Sequence, residues 1–174
     1  KGHTHLIDAV ARLTRDRPTL RALIVGEGPE KSALEEQTKR LGLRDAVKFT
    51  GFCDDLAPAF SAMDIFAQPS VQQEGLPTAI LEAQAAGLPV IASDIGGVRE
   101  SVHGGILTPP GDAPALANAI ESLIAHAAKR QSIGEAAKAF VEQSFSLDSM
   151  VRRVAETYEE AINTYAARQT PAGR

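Results

Sequence analysis

Apolar positions switch repeatedly between a helical period and short unbroken runs along this chain. Over residues 3–13, Leu6, Ile7, Val10 and Leu13 recur at helical spacing. Residues 20–25 then form a short apolar strand between Pro18 and Gly26. Pro29 suits the first turn of a helix running to Leu41 and stopping at Gly42. Strand 46–50 follows, then a short helix over 56–62 that Asp54 or Asp55 can cap, then strand 64–67. A small-residue helix carrying Glu82 ends at Gly87, and an apolar strand fills 88–92. After a turn at Gly96-Gly97 comes a short strand, 105–108, and Asp112 caps a helix over 113–126. Helices over 129–143 and 148–167 complete the pattern. Strands alternating with helices predict an α/β fold, a Rossmann-like parallel sheet with helices on both faces.

The 174 residues read as one domain over 1–168 with a loose tail at 169–174, long enough for a proper core. With 23% charged residues and a net charge of −4, disorder and nucleic-acid binding are disfavoured. Cys53 stands alone, which excludes an internal disulfide framework and suits a reducing cytoplasmic setting. No apolar run reaches membrane-spanning length, and no signal peptide is expected. His3, His5, His103 and His126 make no metal set, because residues i and i+2 diverge on a helix and the other two lie far off.

Candidate chemistry gathers between residues 68 and 94. Glu74 sits in a loop ahead of a helix, and Glu82 lies on that helix. A helix entered through Glu-Gly-Leu-Pro offers free backbone N–H groups and a positive dipole end, which suit a phosphate. From a helix start near Leu76 to Glu82 is roughly 9 Å at about 1.5 Å rise per residue. A diphosphate at the helix start would thus have a sugar toward Glu74 and a ribose toward Glu82. Glu82 leans over Thr78 and Ala79, which are small, and Ala85 and Ala86 follow it. Spacing alone is not diagnostic, since Glu27 and Glu35 share it without any surrounding site.

The context around the two glutamates resembles the donor-binding segment of retaining GT-B glycosyltransferases of family 4, the old group 1. The resemblance extends through Lys1-Gly2, Val25-Gly26-Glu27-Gly28-Pro29, Lys48-Phe49-Thr50-Gly51-Phe52, Asp94-Ile95-Gly96-Gly97-Val98-Arg99-Glu100 and Leu107-Thr108-Pro109-Pro110-Gly111-Asp112. It implies that this chain is the C-terminal half of a GT-B fold. It assigns Glu74 to the transferred hexose and its junction with phosphate, as the catalytic group, and Glu82 to the ribose. Gly75, Leu76, Thr78 and Ala79 would offer amides to the diphosphate, with Lys1 neutralising it. Pro77 stands where a glycine is frequent and removes one N–H. Gly51 and Phe52, with Cys53, would form the loop at the base edge, and Gly26 is a further donor-binding position. Gly26-x-Gly28 is no dinucleotide fingerprint, because Lys31 occupies the third glycine position.

That resemblance implies transfer of a hexose from a nucleoside-diphosphate sugar, a UDP-sugar or GDP-sugar among them, to an acceptor hydroxyl. The acceptor would be a polysaccharide, a lipid-linked sugar or a small metabolite. No metal or other cofactor is expected. The partners expected are the nucleotide sugar and an N-terminal acceptor-binding domain preceding Lys1, together with a first strand. That domain could associate peripherally with the cytoplasmic face of a membrane. Two rivals stand beside this reading: a non-transferring relative such as a nucleotide-sugar 2-epimerase, and a binding-only nucleotide-sugar module.

Overall fold

Residues 1–169 are described in this computed structural model, and the expected alternation runs through them. In order the elements are α1 (His3–Leu13), β1 (Ala22–Val25), α2 (Lys31–Arg40), β2 (Val47–Gly51), α3 (Ala57–Ser61), β3 (Phe66–Gln68), α4 (Thr78–Ala85), β4 (Val90–Ser93), α5 (Val98–Ser101), β5 (Ile106–Thr108), α6 (Ala113–Ala125), α7 (Ala127–Ser144) and α8 (Leu147–Gln169). Gln169 therefore closes α8 rather than starting a tail. Residues 170–174 lie outside those described.

All strand pairs are parallel, but the strands divide into two sheets. β1 pairs with β2, with Ala22 opposite Val47, and β3, β4 and β5 pair in sequence. Helix α1 joins the two. Its Ile7 and Val10 pack with Ile24 of β1 and Val47 of β2, while Ala9 packs with Ile91 of β4 and Leu116 and Leu123 of α6. A single helix thus serves both cores.

β4 shows the covered-sheet logic most fully. It is buried along its length, and its side chains alternate between faces. Ile91 points into the α1–α6 cluster, whereas Val90 and Ala92 join Ile80 and Ala83 of α4 and Val98 of α5. Helices on both faces were expected throughout, and here the two-stranded sheet differs. Lys48 and Thr50 of β2 are exposed, so one of its faces is open. The reason is in the sequence: β2 alternates apolar and polar residues, the mark of a strand with one wet face.

Helix α4 starts later than the pattern suggests, at Thr78 rather than near Leu76. Pro77 is the cap, with extended backbone at ψ 101°. A proline also pushes the residue before it out of helical conformation, so Leu76 cannot be a first helical residue. From Thr78 to Glu82 is therefore one turn, about 6 Å along the axis, rather than the longer separation expected.

Candidate functional site

In parallel sheets the loops that leave the carboxyl ends of the strands form one rim, where ligands bind. The rim here carries Gly26 after β1, Phe52 after β2, the loop 69–77 after β3 and Gly96-Gly97 after β4. Every sequence-predicted site residue except Lys1 and Glu82 falls at a strand end, on those loops or in the first turn of α4.

Lys1 reaches that rim because Gly2 lets the chain come close. Gly2 has φ 74°, and a Cβ built on it would lie 1.8 Å from the carbonyl oxygen of Pro69. Only glycine fits there without moving the loop. Lys1 Nζ then donates to Glu74 Oε1 at 2.6 Å, with the Glu74 side chain 16% exposed. The same oxygen accepts the Ser70 hydroxyl at 2.8 Å. Burial raises the Glu74 carboxyl, but the hydrogen bonds from Lys1 and Ser70 and the nearby positive charges outweigh it and hold the group below its ordinary value. His3, beside Lys1, is also shifted down, by burial first and then by neighbouring positive charge, that of Lys1 included.

The Glu74 backbone is held from the opposite side. Its carbonyl accepts the Gly97 N–H at 2.9 Å. A Cβ at Gly96 would meet the Glu74 oxygen at 2.4 Å, and one at Gly97 would meet the Gly75 oxygen at 2.0 Å. The Gly-Gly turn therefore lies against the loop as closely as bare backbone allows.

At the start of α4, the Ile80 N–H returns to the Pro77 carbonyl at 3.0 Å. Thr78 and Ala79 keep N–H groups with no intrahelical partner, at the positive end of the dipole. Gly75 and Leu76 lie just ahead of them in the exposed loop. Glu82 is exposed and its carboxylate has no hydrogen-bond partner among the described residues, and its neighbours Thr78, Ala85 and Ala86 are exposed as well. Behind this face, Gln84 is fully buried, donates to the Ser101 carbonyl at 2.6 Å and accepts the His103 N–H at 2.8 Å. It ties α4 to the end of α5.

Gly26 and Gly51 meet on the neighbouring part of the rim. The Gly26 N–H donates to the Gly51 carbonyl at 2.9 Å, and both glycines have positive φ, 109° and 74°. Phe52 follows, 71% exposed, an aromatic side chain on the surface. Cys53 is partly covered and reaches the Thr50 hydroxyl. The structure thus brings Lys1, Glu74 and Gly75 into one contact group and Gly26 with Gly51 into another, while Glu82 stands apart on α4.

Two residues that the sequence reading did not place in the site belong to it. Ser70 is 1% exposed, and its only advance sign was the Pro-Ser step four residues before Glu74. Gly97 was visible in a motif, but its bond to the Glu74 carbonyl crosses from one loop to another. Among the described residues, no group of three or more His, Cys, Asp or Glu side chains could hold a metal ion. Cavities of about 300 Å³, lined by Glu35, Thr38 and Phe49 among others, and about 460 Å³, lined by Thr14, Arg21 and Leu41 among others, include none of these rim residues.

Comparison with known proteins adds to this geometry. A family model described as Glycosyl transferases group 1 matches residues 1–126. An exopolysaccharide phosphotransferase of Streptomyces coelicolor is 35% identical over 163 residues, covering 91% of this chain and 17% of that protein. The HepE protein of Anabaena, solved in complex with UDP, is 36% identical with a TM-score of 0.85, over 92% of this chain and 45% of that one. A structure described as the C-terminal domain of a glycosyl transferase group 1 family protein from Francisella tularensis is 27% identical with a TM-score of 0.76, over 84% of this chain and 80% of that one. The chain thus spans less than half of the first two. No described helix is long and apolar enough to cross a membrane.

Proposed function

The chain belongs to the group 1 glycosyltransferases, and on that premise we propose that it is the donor-binding half of an enzyme that moves a hexose from a nucleoside-diphosphate sugar to an acceptor hydroxyl. The observation that carries the reading is the rim itself. A held carboxylate and an ammonium in contact with it lie on the loop side of α4, whose first two amides have no intrahelical partner. Glu82 then takes the ribose hydroxyls, the Thr78 and Ala79 amides and Lys1 take the diphosphate, and Glu74 faces the hexose. Phe52 and the Gly26–Gly51 turn border the base. HepE, which was also solved with UDP-glucose, supports a nucleotide sugar as the ligand and puts uracil first among the bases to test.

We assign the chemistry as follows. The α4 dipole and Lys1 offset charge building on the diphosphate as the glycosidic C–O bond breaks. Glu74 accepts hexose hydroxyls and stabilises positive charge on the sugar ring, and the anomeric configuration is retained. The acceptor, whether polysaccharide, lipid-linked sugar or small metabolite, binds a preceding N-terminal domain across an interdomain cleft. The reaction needs no metal and takes place in the cytoplasm, where nucleotide sugars are available.

The test is a binding panel on this chain with UDP-, GDP- and ADP-glucose, at low and high salt, with and without chelator. Binding to at least one donor, weaker at high salt and indifferent to chelator, is expected. The chain alone should transfer no sugar. Binding that demands added magnesium or manganese contradicts the reading.

A further inference from the structure

Glu74 Oε1 receives two hydrogen bonds, from Lys1 Nζ at 2.6 Å and Ser70 Oγ at 2.8 Å, while Oε2 has no partner among the described residues. The two donors differ in kind. Lys1 lies on the surface, with its side chain 62% exposed, and can swing away toward an anion. Ser70 is 1% exposed and directly follows Pro69, whose carbonyl is pressed against Gly2. A hydroxyl buried to that degree has little access to water, and its nearby charged acceptor is Glu74. The backbone of the same loop is fixed across from it by the Gly97 N–H, 2.9 Å from the Glu74 carbonyl.

We propose that Ser70 is a positioning residue for Glu74, pinning Oε1 so that Oε2 is presented to the donor sugar even when Lys1 leaves to meet phosphate. This rests on the donor-site reading above and adds to it the residue that keeps the carboxylate aimed during binding. Ser70 touches no substrate and acts only through Glu74. In the free chain Lys1 and Ser70 share the oxygen. With a diphosphate present, Ser70 becomes the fixed anchor, and Lys1 is released without the carboxylate turning.

The experiment has a ligand-free arm and a ligand arm, both on this chain. In the first, the Glu74 side-chain carbon is followed by NMR through an acid titration in the parent chain and in Ser70→Ala. Loss of a donor to the ionised form should move the Glu74 midpoint upward, with amide shifts beyond loops 69–77 and 94–97 unchanged. An unmoved midpoint overturns the proposal. In the second, affinity for UDP-glucose is measured for the parent, Ser70→Ala, Glu74→Gln and the double variant. Ser70→Ala should weaken binding about tenfold in the parent and by less than about twofold in the Glu74→Gln background, the coupling expected of a residue acting through its partner. Equal losses in both backgrounds would assign Ser70 to general packing and overturn the proposal. If UDP-, GDP- and ADP-glucose all fail to bind the parent while the Glu74 midpoint still moves, the donor-site reading fails and the Ser70–Glu74 pairing stands.

Discussion

Glu74 illustrates how much of a side chain's character comes from contacts that sequence spacing does not reveal. Its place ahead of a helix was readable, because Glu-Gly-Leu-Pro is a local signal. Its partners were not, because Lys1 is 73 positions away and Gly97 belongs to another loop. Those partners have a measurable consequence for pH. Hydrogen bonds to the ionised form lower the folded-state carboxyl below the unfolded value of about 4.3. The resulting stabilisation is present above that value and is lost as pH falls through the lower folded value. Lys1→Ala removes a lowering contact, so its acid unfolding midpoint should shift to higher pH. Circular dichroism along an acid titration checks this. A midpoint shifted to lower pH would mean that Lys1 does not stabilise the ionised carboxylate.

Among the elements, α4 and α8 mark where pattern reading succeeds and where it stops. The existence of α4 followed from its small-residue period and Gly87. Its first turn did not, because Pro77 acts on Leu76 through backbone sterics rather than hydropathy. Asp112 was legible as a cap and accepts the Ala115 N–H at 2.8 Å. Helix α8 presents Leu147, Met150, Val151, Val154, Tyr158 and Ile162 exposed on the surface. A helical stripe of that kind predicts burial, and in residues 1–169 nothing buries it. Exposed positions contribute little to stability, about 0.5 kcal/mol or less each. Val154→Ser with Ile162→Ser should therefore leave the melting temperature nearly unchanged while lowering self-association at high concentration, read by light scattering. A large drop in melting temperature would show that α8 is packed in solution.

At the scale of the molecule, alternating apolar runs and helical periods foretold an α/β fold with parallel strands, and one of its features lay beyond them. The strands split into β1–β2 and β3–β4–β5, with α1 serving both cores. No local pattern states which strand lacks a neighbour, since pairing is decided by segments distant in sequence. The outer face of β2 is open, as the alternation of apolar and polar residues along that strand implies. The chain is proposed to bind a donor without turning it over. On the proposed reading, the two glutamates divide that binding between nucleotide and sugar. Calorimetry with UDP, repeated with GDP and ADP, on the parent chain, Glu82→Ala and Glu74→Ala tests the division most directly. If Glu82 clamps the ribose, Glu82→Ala loses about 10- to 100-fold in affinity for the nucleoside diphosphate, equivalent to roughly 1.5–3 kcal/mol, while Glu74→Ala stays within a few-fold of the parent. Equal affinity of the parent and Glu82→Ala for the nucleotide that binds would contradict the account.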